Sequence, residues 1–524
     1  MDSIGNQTLR NVLDERVALH GDKLFLLFED KEKQDFSLLY GEFQADVKRL
    51  ASVLLDFGVR KGDTVTLHLP NCMEFMTAWF ALAEIGAVMV PTNILSTESE
   101  MEFILEHSES VLLITEETYL EKFKHIRNHV PKLRDILLAR YKGKDELNRS
   151  LSYLMEHAST TLPDVPLFAE DVAAMLYTSG TTSRPKGVLI THANYLFAGE
   201  VMSKSIRLTP EDRQFIVLPL FHGNAQYYSV MSALMVGASV AITEKFSASN
   251  YFKQAKRLGC TVGSLFAAPI RMILAKEYDP SDCDNSLRMI WFAQTITNEQ
   301  LDDFETNYDT KLLQLYGMTE TVGTPLMNPL DGIRNNMSIG KPTLGYEVKV
   351  VDQDGNECAQ GEIGQIIVKG IPGRTLMKGY FKNESATEEA LRDGWLYTGD
   401  NARVNESGYF FFADRVKDMI KRAGENVAAS EVEKVICEHP CVYECAIIGI
   451  PDEVRDETMK AYVIVRDGQV VTEEEIVAYC KHRLAKFKVP AFVEFVHDLP
   501  RTSVGKIQKH VLRKWHEKGE KINE

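Results

Sequence analysis

Tyr177-Thr178-Ser179-Gly180-Thr181-Thr182-Ser183-Arg184-Pro185-Lys186-Gly187 lies between two apolar runs, 172–176 and 188–190. Strand, loop, strand is the natural reading. The loop is filled with hydroxyl residues and glycine, and one lysine stands near its end. Backbone N–H groups and hydroxyls of such a loop can donate to a phosphate chain, while Lys186 supplies a mobile positive charge. It is not a Walker A loop, because GxxxxGK[ST] is absent and no helix clearly follows the lysine. Taken alone, the same string also reads as an ordinary flexible surface loop. The rest of the chain decides between the two.

The chain has 524 residues, which is too long for one small core and predicts two or more domains. Its net charge of −16 argues against a nucleic-acid or anionic-membrane surface, although a local basic groove remains compatible with an anionic ligand. The eight cysteines form no CxxC pair. Cys437, Cys441 and Cys445 are spaced by four, but Pro440 interrupts any helix there, and no histidine cluster completes a zinc site. Free, mostly buried thiols in a reducing compartment are expected, and with them a cytoplasmic location. The N-terminus has neither a basic nor an apolar signal region, so no signal peptide is expected. The longest apolar stretch, 75–90, contains Glu84 and Gly86 and ends at Pro91, which predicts a buried helix plus strand and no membrane span.

Read in order, 24–28 is a strand and 40–57 a helix, with Phe43, Val47, Leu50, Leu54 and Phe57 on one stripe and Gly58 as its stop. Strand 64–69, helix 72–85, strand 87–90, helix 98–107 and strand 111–115 follow. This alternation is the signature of a parallel α/β sheet. The stretch 142–169 is polar and carries Pro163 and Pro166, so it reads as a surface connection. Beyond the opening loop come strand 215–218, a helix to 236, strand 239–243, helix 247–258, strand 261–266 and strand 311–315. From about 340 the texture changes to short β-rich pieces (347–351, 364–369, 409–412) with glycine turns, predicting an antiparallel subdomain. After 414–418 the pattern is helix 430–437, strands 444–450 and 460–465, helix 473–486 and strand 492–496, enough for a small α+β domain. The expected class is α/β: a large N-terminal domain of parallel-rich sheets with a β-rich subdomain (1–416), and a small mobile C-terminal domain (417–524) joined by a hinge.

Several polar clusters sit just past predicted strand ends, where open α/β sheets bind ligands. Tyr316-Gly317-Met318-Thr319-Glu320 offers a ring that can stack on a base, a hydroxyl for a phosphate and a carboxylate for Mg²⁺. Trp395-Leu396-Tyr397-Thr398-Gly399-Asp400 presents one aspartate, which can accept two ribose hydroxyls. Ser503-Val504-Gly505-Lys506 puts a lysine in a turn near the C-terminus. Singly, each has a plain structural explanation: a strand-end aromatic, a turn or cap residue, a solvated lysine.

Together and in this order, they resemble the adenylate-forming superfamily of acyl-CoA synthetases, adenylation domains and beetle luciferases. The resemblance covers nearly the whole chain. It is carried by YTSGTTSRPKG (177–187), LPLFHG (218–223), YGMTE (316–320), IGKP (339–342), GWLYTGD (394–400), DRVKDMIKRAGENV (414–427), EVE (431–433), KFKVP (486–490) and RTSVGKIQK (501–509). It implies that Thr178, Ser179, Gly180, Thr181, Thr182 and Lys186 hold the β- and γ-phosphates of ATP. It places Tyr316 against adenine, Thr319 at the α-phosphate, Glu320 on Mg²⁺, and Asp400 and Arg415 on the ribose. Lys506 would bridge the substrate carboxylate and the α-phosphate. Lys417 matches the hinge, His222 lies beside the acyl pocket, and Gly424 with nearby basic residues borders the pantetheine tunnel of coenzyme A.

The implied reaction joins a small carboxylic acid to ATP as an acyl-adenylate, with release of pyrophosphate, and then transfers the acyl group to the CoA thiol. One departure stands out. Where many members have a Gly/Ala/Pro stretch before the YGMTE strand, this chain has Trp291-Phe292-Ala293-Gln294-Thr295-Ile296-Thr297. Its bulk, Phe292 included, suggests a reshaped acyl site. The strings TSGTTSRPKG, EKFSA (244–248), GIPGRTLMKGYF (370–381) and IKRAGENV (420–427) look similar to carnitine/crotonobetaine-CoA ligases. A quaternary ammonium acid would favour aromatic faces, for which Tyr227, Tyr228, Phe266, Trp291 and Phe292 are candidates, although buried aromatics also serve simply as packing. A short- or medium-chain fatty acid or an aryl acid fits the same reading. Two rival functions remain at this point: loading of a carrier protein in trans, and a non-catalytic nucleotide-binding protein of the same fold, which intact Glu320, Asp400 and Lys506 oppose.

Overall fold

A computed structural model describes residues 4–178, 185–415, 419–422, 425–452, 456–502 and 507–518. Ser179, Gly180, Thr181, Thr182, Lys417, Gly424 and Lys506 lie outside the described residues.

Two large sheets dominate. In the seven-stranded sheet, Val172–Thr178, Val88–Pro91, Thr64–His68, Leu112–Thr115 and Asp135–Leu138 run parallel. Lys186–Thr191 then closes an antiparallel hairpin on Val172–Thr178, and Gly379–Tyr380 adds the edge. In the nine-stranded sheet, the parallel core runs from Lys311–Tyr316 through Met289–Ala293, Val262–Phe266, Arg213–Ile216 and Ser239–Thr243 to Leu24–Glu29, and antiparallel strands cap both ends. A third sheet of five strands, Glu347–Val351, Gly364–Lys369, Trp395–Val404, Leu391–Arg392 and Phe410–Arg415, is antiparallel throughout. This is the change of texture expected after residue 340.

The sequence explains these elements locally. Met73–Ile85 is buried along nearly its whole length and stops at Gly86, which has φ +71°. The 75–90 stretch is therefore a core helix followed by a strand, and among the described residues no helix is long and apolar enough to cross a membrane. Glu98–His107 starts with a capping box, in which Thr97 accepts from the Glu100 N–H and Glu100 accepts from the Thr97 N–H. The expected helix 473–486 ends earlier, at Lys481. The chain turns there, so that Lys488 meets Glu431 at 2.7 Å and Val489 enters the core. Leu9–His20, Asp35–Leu39, Leu120–Arg127, Asp135–Leu138 and Leu151–Glu156 are elements the sequence reading did not assign.

The largest core lies between the sheets and includes Leu67, Phe75, Trp79, Tyr195, Tyr227, Trp291 and Leu313. A second, with Phe215, Phe252, Phe266, Phe292 and Phe304, covers the opposite face of the nine-stranded sheet. The five candidate cage aromatics are therefore split: Tyr227, Tyr228 and Trp291 belong to the first cluster, Phe266 and Phe292 to the second. Successive residues of a strand point to opposite faces, so Trp291 and Phe292 do not share one cage.

A smaller C-terminal domain has its own core, built on Ile420, Val432, Ile447, Met459 and Val463. The EVE string fastens it. Glu431 pairs with Lys488 of KFKVP, while Glu433 pairs with Lys509 at 2.8 Å and accepts the Ile447 N–H at 2.7 Å. All eight cysteines are free and four of them are buried.

Candidate active site

Each of the three sheets of the large domain delivers part of one polar cluster. The hairpin pairs Thr178 with Lys186 at the mouth of the opening loop. Tyr380, on the strand next to it, is held by the register Tyr380↔Val188 and by the Phe381 N–H donating to Gly187 O. The Lys186 ammonium stands 4.8 Å from the centre of the Tyr380 ring. The Tyr380 hydroxyl donates to Glu320 Oε1 at 2.9 Å. Burial, and then the Glu320 charge, raise the Tyr380 pKa well above the ordinary phenol value, so the hydroxyl keeps its proton and remains a donor.

Glu320 follows the strand Lys311–Tyr316 in a single tight turn, Thr319–Thr321, and is only 5% exposed. Tyr346 clasps that turn, donating to Thr321 O at 2.7 Å and accepting the Gly323 N–H at 2.9 Å. The Met377 N–H donates to Glu320 O at 3.0 Å, tying the turn to the segment before Tyr380. Gly317 is needed for close approach, since a Cβ there would come within 2.3 Å of Tyr228 Oη. Thr319 is half-buried beside Glu320.

The third sheet supplies Asp400, on Trp395–Val404 just after Gly399 (φ +73°). Its carboxylate accepts the Tyr316 hydroxyl at 2.8 Å, and its backbone lies in register with Arg415 on the next strand. Tyr316 is thus anchored by its hydroxyl. Lys186, Glu320, Tyr316 and Asp400, read separately from three strings, come together through two hydrogen bonds and one cation–ring contact.

His222 is half-buried, with its ring edge-on to Phe266 at 5.9 Å. The helix after it differs from expectation: Asn224–Val230 is a π-helix, and only Met231–Val236 is α-helical. The wider turn is a local irregularity of the kind often found at functional sites. Phe292 is fully buried in the second core and is not brought to the cluster.

Sequence reasoning missed two residues here. They are Tyr380 and Asn71, neither of which carries a local signal of its role. Asn71 is 5% exposed and holds LPLFHG in place: its amide donates to Leu218 O and Thr243 O, both at 3.1 Å, and its carbonyl accepts the Leu220 N–H at 2.7 Å. Asn71→Ala is expected to cost roughly 2–4 kcal/mol, because it orphans three buried backbone groups; denaturant unfolding measures this directly.

Among the described residues no group of three or more His, Cys, Asp or Glu side chains is placed to hold a metal ion. A single buried carboxylate such as Glu320 suits Mg²⁺ arriving with phosphates, which keeps most of its ligands as water and phosphate oxygens, and it does not suit zinc.

The family model of AMP-binding enzymes matches residues 13–381, and that of the AMP-binding enzyme C-terminal domain matches residues 431–506. The chain is 38% identical over 517 residues to the crotonobetaine/carnitine–CoA ligase of Salmonella agona (strain SL483), covering 98% of this chain and 100% of that protein. The solved structure of the anthranilate CoA ligase AuaEII in complex with anthranoyl-AMP superposes with a TM-score of 0.90 at 27% identity, covering 98% of each chain. ATP-bound MatB from Rhodopseudomonas palustris gives a TM-score of 0.88 at 28% identity over 98% of this chain and 99% of its own, and its apo form gives 0.77. By sequence along its length and by fold, the chain belongs to the AMP-binding enzyme family.

Proposed function

We propose that this protein is an AMP-forming acid–thiol ligase that activates a small carboxylic acid with ATP and passes the acyl group to coenzyme A. The observation that carries this reading is the meeting of Lys186, Tyr380, Glu320, Tyr316 and Asp400 from three sheets. A carboxylate is a poor acyl donor because oxide is a poor leaving group. Attack of the carboxylate oxygen on the α-phosphorus of ATP breaks the bond to pyrophosphate and leaves an acyl-adenylate. The CoA thiolate then attacks the acyl carbon, and AMP departs.

The residues divide this work. The hairpin mouth, Thr178 through Lys186 with Ser179, Gly180, Thr181 and Thr182, holds the β- and γ-phosphates. Lys186 is drawn from the Tyr380 ring to the anionic ligand. Tyr316, its hydroxyl fixed on Asp400, turns a ring face to adenine, while Asp400 and Arg415 take the ribose and Thr319 the α-phosphate. Glu320 would hold Mg²⁺, which supplies charge neutralisation between the two anions that must meet. Lys506 stabilises the developing charge at the new bond. We place the domain boundary at 416/417 with Lys417 as hinge, so that the C-terminal domain serves the two half-reactions in turn. His222 and Phe292 are assigned to the acyl side and Gly424 to the pantetheine path.

For the acid we propose a betaine of the carnitine/crotonobetaine kind, as in the name of the 38%-identical relative. A screen of carboxylic acids for pyrophosphate release, with and without CoA, tests the whole reading. Betaine acids should turn over best and only with CoA yield a thioester. Turnover with no acid at all would overturn the ligase assignment, and equal turnover of simple fatty acids would overturn the choice of acid. Carrier-protein loading is not favoured, since that relative is a CoA ligase matched along 98% of the chain. Eight free thiols support a cytoplasmic location.

A further inference from the structure

Arg271, Glu444 and Arg501 form an ion triad across the two domains, with the carboxylate buried and the two guanidiniums half-buried. Arg271 belongs to the helix Ala267–Leu274 of the large domain, directly after the strand that ends in Phe266. Glu444 lies on Val442–Asp452 of the small domain, and its side chain is 9% exposed. Arg271 Nη2 donates to Glu444 Oε1 at 2.8 Å, and Arg271 Nη1 donates to Thr295 O at 3.3 Å. From the other side, Arg501 donates to both Glu444 oxygens. Burial works against the Arg501 charge, but Glu444 more than offsets it and raises its pKa above the ordinary guanidinium value. Arg501 also bridges to Ile507 by antiparallel backbone pairing, and in sequence Lys506 immediately precedes Ile507.

A continuous path thus runs from the 293–297 loop through Arg271 and Glu444 to the Arg501/Ile507 bridge. The rest of the ligand cluster sits on the large domain, so whatever the small domain contributes depends on how it docks. A buried carboxylate shared by two guanidiniums tolerates little displacement, because each partner left behind would be a desolvated charge. We infer that Glu444, gripped by Arg271 and Arg501, is a positioning residue that docks the small domain in the orientation used for acyl-adenylate formation and must be released for thioester formation. The inference rests on the two-step ligase reading above.

Arg271→Ala is the cleaner test, because Glu444 keeps Arg501 and no buried charge is orphaned within the small domain. ATP–pyrophosphate exchange should fall tenfold or more, while thioester formation from a supplied acyl-adenylate and CoA stays within twofold of the unaltered protein. Arg271→Lys should restore part of the exchange, and Glu444→Gln should reproduce the split. Hydrogen exchange provides a readout independent of turnover: in Arg271→Ala, amides of 294–297 and of 501–502 and 507 should exchange faster, with Asp456–Val465 unchanged. An equal fall in both half-reactions, or unaltered exchange protection, would overturn the inference. If the unaltered protein activates no acid, the ligase reading fails, and protection at the two ends of the path still decides whether the triad docks the domains.

Discussion

Replacing Lys506 by alanine is expected to slow acyl-adenylate formation by roughly 10²–10³-fold, the cost typical of removing one preorganised donor from developing negative charge. The step brings a carboxylate against a polyphosphate, and the attacking and leaving oxygens both carry charge that water no longer screens. A lysine at that point acts only while the phosphorus is under attack. Thioester formation starts from a neutral acyl carbon and a thiolate, and it expels AMP without rebuilding the phosphoryl transition state. Thioester formation from supplied acyl-adenylate should therefore survive in Lys506→Ala. ATP–pyrophosphate exchange measured beside thioester production separates the two, and a matching loss in both would assign Lys506 a structural role.

Glu320→Gln is expected to lower the overall rate by about 10²-fold and to raise the Mg²⁺ concentration needed for half-maximal rate by about tenfold. The substitution keeps shape, and the amide oxygen still accepts the Tyr380 hydroxyl that now meets Glu320 Oε1 at 2.9 Å. The Thr319–Thr321 turn is held by Tyr346 through backbone groups, which the side-chain change does not touch. Folding stability should move by less than about 1 kcal/mol, so the loss reports charge and not collapse. A magnesium titration of the rate checks it. An unchanged magnesium requirement would remove Glu320 from the metal.

Much of this arrangement was legible in the sequence. Strands such as Ser239–Thr243 and Leu112–Thr115 are short apolar runs because both faces of a parallel sheet are covered, and the runs mark them with little error. Glycine at the end of Met73–Ile85 and the threonine–glutamate pair opening Glu98–His107 mark helix ends by local chemistry alone. What failed to show has equally physical reasons. Asp35–Leu39 is a short edge strand, exposed over its first three residues, and too brief for its alternation to stand out. The π-turn at Asn224–Val230 depends on tertiary packing, and its apolar content reads as an ordinary helix. Asn71 acts through Leu218, 147 positions away, and Tyr380 through Glu320, 60 positions away, and no local pattern records such pairings. The strand Met289–Ala293 was likewise unassigned, so the opposite facing of Trp291 and Phe292 emerged only with the sheet.

The nine-stranded sheet also bears on how the chain is made. Its strand Leu24–Glu29 leaves the ribosome well before its parallel neighbour, Ser239–Thr243. At about 5–20 residues per second, the early strand waits roughly 10–40 s for that partner. Throughout that interval Phe25, Leu26 and Phe28, all buried in the finished protein, have only the short antiparallel neighbour Asp35–Leu39 and lack the parallel one. The nine-stranded sheet therefore closes only once its later strands exist, a long-range pairing of the kind that slows folding.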